Sequence, residues 1–167
     1  MKKTEDNYAF IDSQNVQKSL EHQGWKLSWK KFRIYLTEKY GVTKAYLFIG
    51  FLPENQALYT MLQDFGFVLI FKPVLHLTSG KTKGNVDAEL VLQAMIDYYV
   101  YEKAVLVTGD GDFACLVHHL YKNQKLKRLI VPHKQQYSIF LKKEAKELID
   151  NLTDLQTKLE YKKGAHS

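Results

Sequence analysis

Ala104-Val105-Leu106-Val107-Thr108-Gly109-Asp110-Gly111-Asp112-Phe113 is the stretch whose reading decides the fold. Its four leading apolar residues do not alternate with polar ones. They read as a strand buried on both faces, the pattern of a parallel sheet with helices packed on either side. Glycines flank Asp110 and permit a tight turn, and Phe113 to Tyr121 then reads as a helix. A strand passing through a Gly-Asp turn into a helix is the repeating unit of a doubly wound α/β sandwich.

The same unit recurs on both sides of this stretch. Tyr8–Ile11, Ala45–Ile49, Phe67–Phe71 and Leu129–Val131 read as further strands. Trp29–Tyr40 reads as a helix with Ser28 as its N-cap and Gly41 beyond its end. Glu54–Phe65 reads as another, stopped near Gly66. Val86, Leu90, Val91, Ala94, Met95 and Tyr98 recur at helical spacing and predict a helix over 86–101. Residues 75–84 form a polar loop, 138–152 read as a last helix, and the remainder is polar and expected to fray. Residues 1–152 are thus expected to be one α/β domain and 153–167 a polar C-terminal tail.

Composition narrows the class. The chain has 167 residues, enough to bury a core without disulfides, and its single cysteine, Cys115, rules out an internal disulfide and a cysteine-built zinc site. The apolar runs are too short to span a bilayer, and no apolar segment follows the N-terminal lysines. A cytoplasmic protein is expected, with no membrane partner. The net charge is +6. Seven basic residues and no acidic one lie between Tyr121 and Lys143, a patch suited either to a polyanion or simply to solvent.

Ligands of such folds bind beyond the carboxyl ends of the strands. Asp12 follows the first strand, Asp110 and Asp112 follow the fourth, and Asp87 opens the helix after the polar loop. All four can meet at one rim. Each also has a local reading. Asp12 can cap the next helix, Asp87 can favour a helix dipole, and Asp110 with Asp112 can shape a tight turn. Yet closely spaced carboxylates repel unless a cation or a proton compensates. A carboxylate cluster without His or Cys selects a hard cation such as Mg²⁺, and phosphodiester hydrolysis is the chemistry that follows most naturally. A dinucleotide-binding oxidoreductase is excluded, because Ile11-Asp12-Ser13-Gln14-Asn15 lacks a glycine-rich phosphate loop.

Three motifs carry a family resemblance. Phe10-Ile11-Asp12-Ser13-Gln14-Asn15, Lys83-Gly84-Asn85-Val86-Asp87 and Thr108-Gly109-Asp110-Gly111-Asp112-Phe113 occur in this order. They resemble the motifs of the NYN domain family, the LabA-like branch of the PIN-like nucleases, over about 7–132. The resemblance implies a three-layer α/β/α sandwich with a five-stranded parallel sheet ordered 3-2-1-4-5. It further implies Mg²⁺- or Mn²⁺-dependent cleavage of RNA. Asp12, Asp87, Asp110 and Asp112 would then be the catalytic and metal-site acids, and Asn15 a polar support. One departure stands out. Many relatives carry another aspartate about two turns into the helix after the second motif, where this chain has Gln93, with Glu89 and Asp97 nearby.

Lys81 and Lys83, in the loop leading to Asp87, are expected to bind substrate phosphate. His133, after the fifth strand, is a further candidate for phosphate contact. His76 reads as a surface loop residue, His118 and His119 are neighbours on a helix that face different ways and so do not share a metal, and Cys115 reads as a packing residue. Tyr137 and Phe140 can stack bases or pack the last helix. The expected function is therefore a metal-dependent ribonuclease with RNA as its partner. The alternative is a non-catalytic RNA- or protein-binding module that keeps the acidic site. Nothing in the sequence fixes an oligomeric state, and a homodimer is compatible with it.

Overall fold

Strand β1 (Asn7–Asp12) lies at the centre of the molecule, paired in parallel with β2 (Val42–Phe51) on one side and β6 (Ala104–Val107) on the other. The computed structural model describes residues 4–76, 82–83 and 86–164. Beyond β2 lies β3 (Phe67–Pro73); beyond β6 lie β7 (Leu126–Val131) and β8 (Ile149–Asn151). Every pairing in this six-stranded sheet is parallel, in the order β3-β2-β1-β6-β7-β8. The expected 3-2-1-4-5 arrangement is present, extended by one strand. Two-residue strands β4 (Leu75–His76) and β5 (Thr82–Lys83) form a separate antiparallel ladder within the stretch expected to be loop.

Side chains along β1 divide the core. Ala9 and Ile11 point to one face of the sheet and Phe10 to the other, as the two-residue period of a strand requires. The first face is covered by α1 (Ser13–His22), α2 (Trp29–Tyr40), α3 (Gln56–Asp64) and the short α7 (Gln156–Leu159). The second is covered by α4 (Asp87–Ile96), α5 (Ala114–Lys122) and α6 (Ile139–Ala145). These are the three layers. Ser28 caps α2 by accepting from the Lys31 N–H at 3.3 Å, and Gly41 ends it in the left-handed region at φ 65°. Among the described residues no helix is long and apolar enough to cross a membrane.

Two expectations for the C-terminal region are corrected. The helix expected over 138–152 ends at Ala145. Lys146 takes a positive φ of 53°, and the chain then adds β8 alongside β7. Ile149 is apolar and β7 offers an open edge, so pairing wins over helix continuation. Residues 153–160, expected to be part of a frayed tail, pack on the domain. Leu159 packs in the core at 1 % exposure, and Glu160 bridges to Leu27. A single buried leucine on a short helical turn is too brief a pattern to show as periodicity.

The basic stretch between Tyr121 and Lys143 is divided by the fold. Lys125 donates to the carbonyls of Tyr98 and Tyr101, and Lys127 pairs with Glu5 at 2.8 Å. Both stand at the amino end of β7, opposite the edge where Asp12 and Asp110 lie. Only the part after Val131 shares the edge of the acids.

Candidate metal centre

Parallel strands bring their carboxyl ends to one edge, and Asp12 ends β1 there. Asp12 caps α1 by accepting from the Asn15 N–H at 3.3 Å. Its other oxygen accepts from the Thr108 hydroxyl at 3.1 Å. Thr108 is buried just beyond β6, and its hydroxyl oxygen accepts from the Asp110 N–H at 3.1 Å. Asn15 closes the frame, its amide oxygen accepting from the Gly109 N–H at 2.7 Å. Thus the β1 and β6 loops are tied together by three side chains, Asp12, Asn15 and Thr108. The local capping role of Asp12 and its place at the rim are both realised, since the two carboxylate oxygens do different work.

Carboxylate oxygens of Asp12, Asp87 and Asp110 all lie within 4.8 Å of one another. Asp87 comes from the first turn of α4, Asp110 from the N-cap of the 3-10 turn Gly111–Phe113. Asp12 is buried, at 5 % exposure, while the other two are half-buried. Burial pushes the Asp12 carboxyl up to about 6, and the charges of Asp87 and Asp110 push the same way. The hydrogen bonds from Asn15 and Thr108 pull against both. Three carboxylates this close, with the charge of one of them disfavoured by burial, form a donor set that a hard divalent cation fits. The oxygens are of the type that Mg²⁺ and Mn²⁺ prefer, and no soft ligand is among them.

Asp112 stands apart from this cluster. It is exposed, its N–H donates to Asp110 at 2.9 Å, and it is not one of the three acids that converge. Gln14 and Lys18, not anticipated from the sequence, line the same cavity of about 190 Å³ with Asp12, Asn15, Val86, Asp87 and Asp110. The signal for Lys18 is its spacing: positions 14, 15 and 18 share one helix face. A larger cavity, about 490 Å³, lies at the other end of α1 beside Trp25 and Trp29. It lacks the carboxylate cluster.

The remaining candidates separate clearly. Lys81 lies outside the described residues, and Lys83 is described only through its backbone in β5. The His133 ring accepts at Nδ1 from the N–H groups of Gln135 and Gln136, both at 3.0 Å, so that nitrogen shapes its own turn. Glu89 faces Lys72 at 3.5 Å, and Asp97 accepts from Gln93 and Tyr46. Glu89 of α4 and Asp97, which follows its last residue, are therefore engaged elsewhere, and Gln93 serves Asp97. His118 pairs with Glu144 at 2.7 Å, and Cys115 is exposed where packing was expected.

Solved structures include one of similar form, a protein of unknown function from Vibrio parahaemolyticus RIMD 2210633. It superposes with a TM-score of 0.76 at 21 % identity, covering 96 % of this chain and 99 % of that one. At that identity the likeness concerns the fold. No curated protein matches the chain. The NYN domain family model matches residues 8–156, a span that includes the acids of β1, α4 and the β6 loop. The chain belongs to the NYN domain family.

Proposed function

We propose that this chain is a metal-dependent ribonuclease that hydrolyses RNA phosphodiester bonds at Asp12, Asp87 and Asp110. NYN domains belong to the PIN-like nuclease superfamily. The observation that carries the reading is the convergence of three carboxylates from β1, α4 and the β6 loop within 4.8 Å. Such a cluster is unfavourable without a counter-charge, and the sheet edge offers room for one.

Bound there, Mg²⁺ or Mn²⁺ would supply Lewis-acid chemistry, neutralising phosphate charge and acidifying water. The protein's own part is positional. Asp12, Asp87 and Asp110 would hold the ion, with Asp12 fixed by its Asn15 and Thr108 hydrogen bonds. Asn15 and Thr108 keep the two loops at one spacing. Lys18, on the wall of the same cavity, supplies a cation for a phosphate oxygen. Lysine suits that role as a mobile point charge. Asp112 contributes from the exposed rim, through water rather than as one of the converging acids. Lys81, Lys83 and His133 would make outer phosphate contacts.

The test is incubation of purified protein with end-labelled structured and unstructured RNA in Mg²⁺, Mn²⁺ or EDTA. Cleavage should require the metal and be lost in Asp87→Asn. Equal cleavage by the wild type and that variant would sink the proposal and point to a contaminant. Binding without cleavage would favour a non-catalytic module.

A further inference from the structure

Helix α6 is anchored to the acidic loop and turns an uncovered face to solvent. Its N-cap, Ser138, accepts from the Phe140 N–H and donates its own N–H to the Gly109 carbonyl at 3.2 Å. Gly111 sits directly against this cap. A Cβ there would fall 2.3 Å from Ser138 Oγ and 3.6 Å from Phe140 Cδ2. Gly111 separates Asp110 from Asp112, so the Phe140 ring stands beside the loop that carries both acids.

Leu141 and Ala145 fill the core side of α6. Their four-residue spacing leaves Ile139, Phe140, Lys142 and Lys143 outside. Ile139 is 73 % exposed and Phe140 65 %. Packing of the last helix, one expected role for Phe140, falls to Leu141 instead. Large apolar side chains exposed together mark an interaction surface. Here the surroundings are cationic. Lys134 and Lys142 line an open cavity of about 350 Å³ with Tyr137 and Ile139. Of the nearby acids, Asp154 faces Lys134 at 3.5 Å and Glu144 pairs with His118 at 2.7 Å. Asp112 lies on the rim itself.

We propose that the segment 134–143 is a stacking platform for single-stranded RNA. It would hold a base on Phe140 next to the phosphodiester that faces Asp12, Asp87 and Asp110. This rests on the nuclease reading above and adds the path of the strand. An exposed aromatic ring on a helix that also presents Lys142 and Lys143 to solvent suits a base and its phosphates together. A duplex keeps its base faces stacked and offers none to Phe140. Lys134, Lys142 and Lys143 take the backbone, without sequence preference.

The probe is a fluorescein-labelled octauridylate, its binding followed by polarisation in EDTA so that nothing is cut. Phe140→Ala should weaken binding at least fivefold, the lower end of what loss of one stacked base produces. Phe140→Leu should be equally weak, whereas Phe140→Trp should restore affinity and be quenched on binding. Phe140 is exposed, so unfolding is not expected, and unchanged melting curves verify it. Lys142→Gln with Lys143→Gln should flatten the salt slope by about 0.7 for each phosphate no longer neutralised. Unchanged affinity in Phe140→Ala overturns the platform, and quenching of Trp25 and Trp29 in that case moves the strand to the cavity beside them. A Phe140→Ala variant that binds RNA normally but no longer self-associates overturns it in favour of a protein interface. Failure of the nuclease reading is a separate result, namely intact octauridylate binding with no cleavage of any RNA.

Discussion

Replacing Asp12 by Asn should make the metal-free protein more stable at neutral pH. Asp12 is buried, and its carboxyl is raised from 3.8 to about 6. The folded protein therefore holds the proton more tightly than the unfolded chain does. For an acid shifted upward, stability falls as pH rises through the window from about 4 to about 6, and the full penalty is present above it. At about 1.4 kcal/mol per pH unit, the interval corresponds to about 3 kcal/mol. Asn keeps the oxygen that accepts from Asn15, and its amide N–H can donate to Thr108 once that hydroxyl turns. About 2–3 kcal/mol should then be recovered. For a chain of this size that corresponds to a rise in Tm of roughly 5–10 °C. The assay is thermal unfolding in EDTA from pH 4.5 to 8, with the wild-type curve subtracted from the Asp12→Asn curve to cancel other titrating groups. The difference should be about a third of its full value near pH 4.5, grow through pH 6 and level off. Parallel curves, or an Asp12→Asn variant less stable at pH 7.5, would refute the account of Asp12 as a destabilised charge awaiting a cation.

Divalent ions should raise the wild-type Tm at pH 7.5, by about 2.7 kcal/mol of stability at a hundredfold excess over Kd; the gain should vanish in Asp110→Asn and persist in Asp112→Asn, as dye-monitored melting with and without Mn²⁺ would reveal. Gly111→Ala should displace Ser138 and cost about 1–3 kcal/mol by overpacking, with a fall in cleavage exceeding that of Phe140→Ala in a single-turnover assay. Leu159→Ala should cost about 2–5 kcal/mol in urea denaturation; a change under 0.5 kcal/mol would return the C-terminal segment to a loose tail. Lys18→Gln should raise the KM for RNA while leaving the metal-induced rise in Tm unchanged, and an altered metal response would place Lys18 with the ion rather than with phosphate.

The layered fold and the rim are legible in the amino-acid pattern alone. Apolar strands such as Ala104–Val107 have to be buried on both faces, and helical spacing between them leaves few arrangements. Acids placed directly after strands must then come to one edge, as Asp12 and Asp110 do. What the sequence left open was settled by distance in space. Asp112, two residues from Asp110, is exposed and stays outside the converging three, because it lies within the 3-10 turn that Asp110 caps. Lys18 enters the cavity only because α1 starts directly after its cap Asp12 and its 3.6-residue turn carries positions 14, 15 and 18 to one side. The basic stretch reads as one patch, yet β7 runs through it and leaves Lys125, just before the strand, and Lys127 at the far edge of the sheet. Leu159 and the Ile149–Asn151 strand gave no periodic signal; each is too short, and only an open sheet edge and a gap in the core gave them a place. Local pattern fixes what an element is, whereas partners distant in sequence, such as Thr108 for Asp12, fix which of its side chains meet.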